Sequence, residues 1–311
     1  MKVIKAHKIR LNPTPEQEKY FWQAAGIARF TFNWGLAEYN KRKALGEKVK
    51  IIGKGDCLKG EFVVIKKEQF PWVNEVSSFA YIGAFADLQK AISRYFDLKK
   101  KGELKPPKGW KPRKDGKPFG WPQFKSKMRD MPSFYVSNRG IQLNKNLVKI
   151  ERCPEQVNMT EPLRFDGKVM GGRITYQANH WWLSVQVEIE VDQPASNEAV
   201  VGIDLGVKYL AVTSAGQVFD NPKALIKAQA KLRRLQRMLD RQQRANNPDN
   251  YNPDGTFKEG IKTWIKSQNM KDTEAQIAKL HYRVACIRGE ASHQMTTQIA
   301  KQYGIIGIED L

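Results

Sequence analysis

The stretch Val200–Ser214, VVGIDLGVKYLAVTS, most constrains what this chain can fold into. Val200, Val201, Ile203 and Leu205 form an apolar, mostly β-branched run too short for a helix, which predicts a buried strand. Gly206 supplies a turn, and Tyr209 to Thr213 starts a second strand. Asp204 then falls inside a hydrophobic strand, where a carboxylate is costly unless a metal, an ion pair or hydrogen bonds compensate it. Two readings of it stay open: a metal ligand presented at a sheet edge, or an acid that only caps the turn.

The residues that follow suggest a partner for Asp204. Gln217 to Phe219 can add a third strand to a meander, and Pro222 to Arg244 reads as a helix. The apolar stripe of that helix is Leu225, Ala228, Leu232, Leu235 and Leu239, with Lys227, Lys231, Arg234 and Arg241 beside it. Asn246 to Gly260 is a polar excursion. A long helix is expected from Asp272 to Tyr303, with Ile277, Leu280, Val284, Ile287, Ala291, Met295 and Ile299 inward and Gly304 as a C′ glycine. Ile305 to Leu311 then reads as a buried strand carrying Glu309. If Val200–Leu205 and Ile305–Ile308 are parallel neighbours, as short apolar runs suit, Asp204 and Glu309 reach the same sheet edge. Oxygen-only ligands favour Mg²⁺ or Mn²⁺. Two such ions about 4 Å apart would activate a water and stabilise the leaving oxygen of a phosphodiester. This is the arrangement of an RNase H-like nuclease.

Charge points to the same class of substrate. Among 311 residues, 53 Lys and Arg against 32 Asp and Glu leave a net charge of +21, which argues for a polyanionic partner such as nucleic acid. A membrane surface fits poorly, because no 18-residue apolar span and no signal peptide occur. Cys57, Cys153 and Cys286 are far apart and odd in number, giving neither a disulfide framework nor a zinc pair and implying a reducing compartment.

The N-terminal part opens with a strand, Lys2 to Leu11, and a helix start at Thr14-Pro15-Glu16-Gln17, with Thr14 as N-cap and Gln17 completing a capping box. Arg29 and Asn33 share a face of that helix and either contact nucleic acid or each other. Residues 44–75 read as loop, with a short strand at Phe62 to Ile65. Val76 to Leu98 is a helix with a core stripe of Ile82, Phe85, Leu88, Ile92 and Tyr95 or Phe96. Residues 99–118 hold nine basic residues, four prolines and three glycines. They form a solvated linker or a loop that tracks phosphates through Lys99, Lys100, Lys101, Arg113 and Lys114. In residues 120–130, Trp121 and Phe124 interleave with Lys125, Lys127 and Arg129, a mix suited to backbone contact and base stacking. Residues 133–191 read as strands, among them a hairpin at Gln142–Ile150, Arg173–Tyr176 and His180–Val191. The last alternates from Leu183, as an antiparallel sheet with one wet face does. Asp192 to Asn197 is a polar break and a candidate boundary.

At this point the chain resembles, nearly end to end, the OrfB/TnpB family of transposon proteins, relatives of the type V CRISPR nucleases. The resemblance is carried by KIRLNPTPEQ, ARFTFNWGL, FKSK, the WW strand, GIDLGVKYLAVTS and IGIEDL. It implies an RNA-guided DNA endonuclease of α+β class, monomeric with its guide RNA and acting on double-stranded DNA, without a membrane. The setting it implies is prokaryotic cytoplasm, nucleoid-associated when bound. It also implies a wedge-like β domain at 1–12 and 128–194, an inserted helical recognition domain at 13–127 and a partial RuvC domain at 195–311. Asp204 and Glu309 would be its first two metal-binding acids, and Arg288 and His293 match basic positions of the long helix, although Gly289 to Ser292 depart from it. Residues 246–268 look like an insertion. Family members continue past IEDL to a zinc ribbon and a third aspartate. The expectation is therefore a chain truncated after the second acidic motif, without zinc and impaired in cleavage. The alternative is a guided DNA binder that does not cut. GIDLG also opens actin-like and heat-shock ATPases, but Val207 and Lys208 stand where phosphate-holding hydroxyls would be needed, and the net charge would go unexplained.

Overall fold

A computed structural model describes every residue except 114, 128, 193–196, 261–262 and 310–311. The chain forms two compact units, Met1–Asp192 and Gln193–Leu311. Both mix helices with a sheet, and among the described residues no helix is long and apolar enough to cross a membrane.

The first unit runs β1 (Lys2–Asn12), α1 (Pro15–Ala44), α2 (Leu58–Ile65), α3 (Phe79–Lys101), β2 (Ser133–Ser137), β3 (Ile141–Asn144), β4 (Leu147–Ile150), β5 (Gln156–Met159), β6 (Lys168–Gln177) and β7 (His180–Glu190). Helix α1 starts as its sequence dictates. Thr14 Oγ1 accepts from the Gln17 N–H at 3.3 Å, Gln17 Oε1 accepts from the Thr14 N–H at 3.0 Å, and Pro15 occupies the first turn. The Gln17 amide also donates to the carbonyls of Pro154 and Gln156, tying the helix start to β5. The sheet is antiparallel in the order β2-β6-β7-β1-β5-β4-β3. Strand β1 sits at its centre and pairs with β7 from Lys2↔Glu190 to Leu11↔Trp181. Period-two alternation buries His7, Ile9 and Leu11 of β1 and Trp181, Leu183, Val185 and Val187 of β7.

Helices α1 and α3 pack on one another and share one continuous core with the sheet. Phe21 meets Trp181 at 5.1 Å between ring centroids and Phe134 at 5.9 Å. The two helices come close at Gly35, where a Cβ would stand 2.8 Å from Leu88 Cδ2.

Two local expectations need correction, and one open alternative is decided. Phe62–Ile65 belongs to helix α2, not to a strand. Leu58 and Phe62, one turn apart and fully buried, outweigh the β-branched Val63-Val64-Ile65, and Cys57 Sγ accepts from the Gly60 N–H at its start. Helix α3 begins at Phe79 rather than Val76 and runs to Lys101, so Lys99, Lys100 and Lys101 form its last turn, where cations complement the helix dipole. Tyr95, not Phe96, continues the core stripe.

The second unit runs β8 (Val200–Leu205), β9 (Tyr209–Thr213), β10 (Val218–Asp220), α4 (Ala224–Asn246), α5 (Gln268–Gln302) and β11 (Ile305–Ile308). Its sheet order is β10-β9-β8-β11, a meander with β11 added parallel to β8. Val201, Ile203, Ala211 and Ile299 form its buried cluster, with Phe219, Met295 and Tyr303 against it.

Here too expectations change. Neither β8 nor β11 is buried on both faces. Val200 is 66% exposed, and all of edge strand β11 is exposed, because α5 covers only the Val201–Ile203 side. Leu225 and Ile287 are also exposed; Ala224, Leu232 and Leu235 carry the inward face of α4, and Val284 and Ile299 that of α5. Helix α5 ends on an extended Tyr303, and Gly304 is not left-handed. Gly304 is required for a different reason: a Cβ there would lie 1.6 Å from the Asn197 carbonyl oxygen. The N–H groups of Gly304 and Ile305 both donate to the Ala199 carbonyl, which starts the β8–β11 pairing. The described residues of the polar excursion after α4 make their own contacts. Tyr251, Phe257 and Trp264 cluster, and the Asn247 side chain pairs with both backbone groups of Ile265.

Candidate acidic edge and nucleic-acid interface

The register of β8 and β11 leads to both acids at the same end of the sheet. Ile305 pairs with Val200, Ile306 with Val201, Gly307 with Gly202 and Ile308 with Ile203. The next residue on each strand is an acid, Asp204 on β8 and Glu309 just past β11, and neighbouring strands lie about 4.8 Å apart. Asp204 is still held in the ladder on its other side, opposite Val212 of β9. The turn after it is anchored by the Asn221 side chain, which donates to the Val207 carbonyl at 2.9 Å.

Alternation buries Val201 and Ile203 and turns Asp204 outward. The expectation of a carboxylate in need of compensation inside a hydrophobic strand is therefore corrected. Asp204 is exposed, as is Glu309, and neither carboxylate has a hydrogen-bond or ion-pair partner among the described residues. Two free carboxylates at one edge suit a hard divalent cation, since Mg²⁺ keeps several waters and takes one or two protein carboxylates. Among the described residues no third His, Cys, Asp or Glu joins them.

The basic candidates of the first unit sort into structural and free groups. Asn33 is occupied: its Nδ2 donates to the Lys125 carbonyl at 2.9 Å and its Oδ1 accepts from the Lys125 N–H at 2.7 Å. Lys125 reaches Asp87 at 3.7 Å and lies over the Phe32 ring, and burial lowers its pKa. Trp121 donates to Asn40 Oδ1 at 3.2 Å and packs edge-on against Tyr95. Arg113 donates to the Trp121 carbonyl and pairs with Asp115. These bonds fasten much of the segment after α3 to α1. Lys99, Lys100, Lys101, Phe124 and Lys127 face solvent, while Arg129 is exposed but bonded to Gln123, the Phe124 carbonyl and Asp130. Lys114 lies outside the described residues. Arg288 and His293 are exposed on α5, in the second unit.

Arg29 lines a cleft of about 650 Å³. Two aromatic residues on its wall, Trp22 and Tyr176, were not foreseen from sequence. Trp22 had a readable signal, standing seven residues before Arg29 and so on the same helix face; Tyr176, brought in by β6, had none.

Comparison with known proteins bears on both regions. The family model of OrfB proteins from IS605-type elements, described as "Probable transposase", matches residues 184–311. A companion model of the same proteins, described as "Helix-turn-helix domain", matches residues 1–48. Those residues hold one strand and one long helix here, β1 and α1, rather than two helices about a turn. The chain is 28% identical to "Putative RNA-guided DNA endonuclease InsQ" of Escherichia coli K12, covering 100% of this chain and 67% of that protein. It is 22% identical to "Putative RNA-guided DNA endonuclease" of Streptomyces pristinaespiralis, over 99% of this chain and 67% of the relative. With "Putative RNA-guided DNA endonuclease Rv2885c" of Mycobacterium tuberculosis the identity is 24%, over 99% and 66%. The chain thus spans about two thirds of the length of these relatives.

Proposed function

This chain belongs to the OrfB family of IS605-type transposon proteins, and we propose that it acts in RNA-guided cleavage of double-stranded DNA, with Asp204 and Glu309 as metal-binding acids. The observation that carries this reading is the parallel β8–β11 register, which brings one free carboxylate from each strand to the same sheet edge. Held there, Mg²⁺ or Mn²⁺ would supply an activated water and neutralise charge on the scissile phosphate. The protein's part is positional. The β8–β9 ladder fixes the backbone of Asp204, and the Ala199 carbonyl fixes the start of the strand that leads to Glu309.

The rest of the reading concerns the polyanions. Residues 1–12 with 128–194 serve as a wedge-like β domain, residues 13–127 as a helical recognition domain and residues 195–311 as the RuvC-type part. Lys99, Lys100, Lys101, Phe124, Lys127 and Arg129 line the face for guide RNA or its heteroduplex, with Arg288 and His293 serving on the second unit. The protein works as a monomer with its RNA in a prokaryotic cytoplasm, at the nucleoid when bound to DNA.

The test is plasmid cleavage by protein co-expressed with RNA from the element's flank, in Mg²⁺. Asp204→Ala is expected to lower cleavage at least about 100-fold while the RNA still co-purifies. Undiminished cleavage by Asp204→Ala would sink the assignment of the site. A wild-type protein that holds RNA and occupies target DNA without cutting would instead support a guided DNA binder.

A further inference from the structure

The cleft beside α1 has the chemistry of a nucleotide site. Trp22, Gly26 and Arg29 line up along one face of α1, with Tyr176 of β6, Lys127 and residues 129–132 as the remaining walls. Trp22 is 40% exposed and is buttressed from behind by Tyr176 at 4.7 Å and Trp181 at 5.0 Å between centroids. Its free surface is thus a rigid aromatic platform. Arg29 is half-buried yet has no hydrogen-bond or ion-pair partner among the described residues, a cation in want of an anion. Lys127 and Arg129 add positive charge at the rim, and the one acid there, Asp130, is paired with Arg129 and accepts from the Ser126 N–H. The floor is open at Gly26, where nothing lies within 4 Å of the position a Cβ would take. A volume of about 650 Å³ falls within the range that holds small-molecule ligands.

We propose that this cleft takes one unpaired nucleotide of a single strand, its base stacked on Trp22 and its phosphate on Arg29. The proposal rests on the nucleic-acid reading above and adds a defined subsite to it. Every base has a π face, so the platform is sequence-tolerant, and the phosphate fixes the register of the strand. The strand is the guide RNA or a displaced DNA strand; the chemistry is shared.

The test uses the whole chain purified with its RNA and, separately, short oligouridine and oligothymidine. Ultraviolet cross-linking with mass spectrometry should find an adduct on Trp22 or Tyr176, and its mass tells ribonucleotide from deoxyribonucleotide. Trp22→Ala should weaken oligonucleotide binding about tenfold, with Trp22→Phe largely restoring it. Arg29→Gln should lower the slope of log affinity on log salt by about 0.7, the share of one phosphate. Gly26→Leu fills the cleft while leaving Trp22 and Arg29 in place and suits a helix better than glycine does, so it should block binding while the melting temperature holds or rises. Cross-links confined to other residues, together with unchanged affinity in Gly26→Leu, would overturn the subsite and leave the broader reading standing. A wild-type protein that binds neither RNA nor either oligonucleotide would overturn both.

Discussion

The two units treat their sheets differently. In Met1–Asp192, α1 and α3 cover the inner face of the seven-stranded sheet, and large side chains such as Phe21, Trp181 and Phe134 are at most 2% exposed. In Gln193–Leu311, among the described residues, the sheet's own buried cluster is Val201, Ile203, Ala211 and Ile299, and Val200, Ile305 and Ile308 remain more than half exposed. Burial of this kind is the main favourable term in folding, so the first unit has the means to be rigid alone, while the acid-bearing sheet is shallow. The difference is one of function as well. The face proposed to hold RNA rests on a deep core, whereas Asp204 and Glu309 are exposed on a thinly covered sheet.

The largest expected effect tests that contrast. Phe21→Ala should cost about 3–5 kcal/mol, as large aromatic truncations in cores do, and lower the main calorimetric transition. Ile299→Ala should cost about 2–4 kcal/mol but only in the second unit. If Ile299→Ala shifted the first unit's transition as far as Phe21→Ala does, the two units would not be independent.

Next in size is Asn33→Ala. It removes both bonds to the Lys125 backbone, at about 1–3 kcal/mol for partly buried groups left unpaired. Faster limited proteolysis between residues 104 and 132 is the expected readout; an unchanged digestion rate would mean that Trp121 and Arg113 hold the segment without it.

A smaller effect follows from replacing Lys99, Lys100 and Lys101 together by Gln. The salt slope of RNA binding should fall by about 2, at roughly 0.7 for each phosphate no longer neutralised. An unaltered slope would make that helix end mere solvated surface.

The smallest expected effect is a pH dependence confined to the first unit. Burial, then Arg164, lowers the His7 pKa below its ordinary value, with Glu161 opposing. The unfolded chain therefore binds the proton more readily than the folded one, so this contribution is full above about pH 6.5 and is lost as pH falls towards the depressed value. The melting temperature of the first unit should fall across that window, and less in His7→Gln. Equal slopes in the two proteins would remove His7 as the cause.

Much of this was legible in sequence where local chemistry decides. The Thr14–Gln17 capping box and the alternation of β7 are local or periodic signals, whereas the sequence offered the parallel pairing of β8 and β11 only as a condition on two short apolar runs. What escaped depends on tertiary partners. Whether Val200 or Ile305 is covered depends on where α5 lies. Helix α2 forms because Leu58 and Phe62 find a core, against the preference of Val63 and Val64. The 99–118 stretch read as linker or phosphate-tracking loop, but its Arg113, paired with nearby Asp115, also holds the carbonyl of Trp121, and Trp121 is fixed to Asn40 of α1, 81 residues away in the chain. Gly304 looked like a helix cap because glycine at a helix end usually is one; here it makes room for Asn197.

The proposed pairing of Asp204 and Glu309 in one divalent-cation site can be put to calorimetric titration of the purified chain with Mn²⁺. Wild type should show one saturable site that Asp204→Asn and Glu309→Gln each abolish and that Asp272→Asn, on the exposed start of α5, leaves intact. Equal Mn²⁺ binding by wild type and both edge variants would rule out a site built on these two acids.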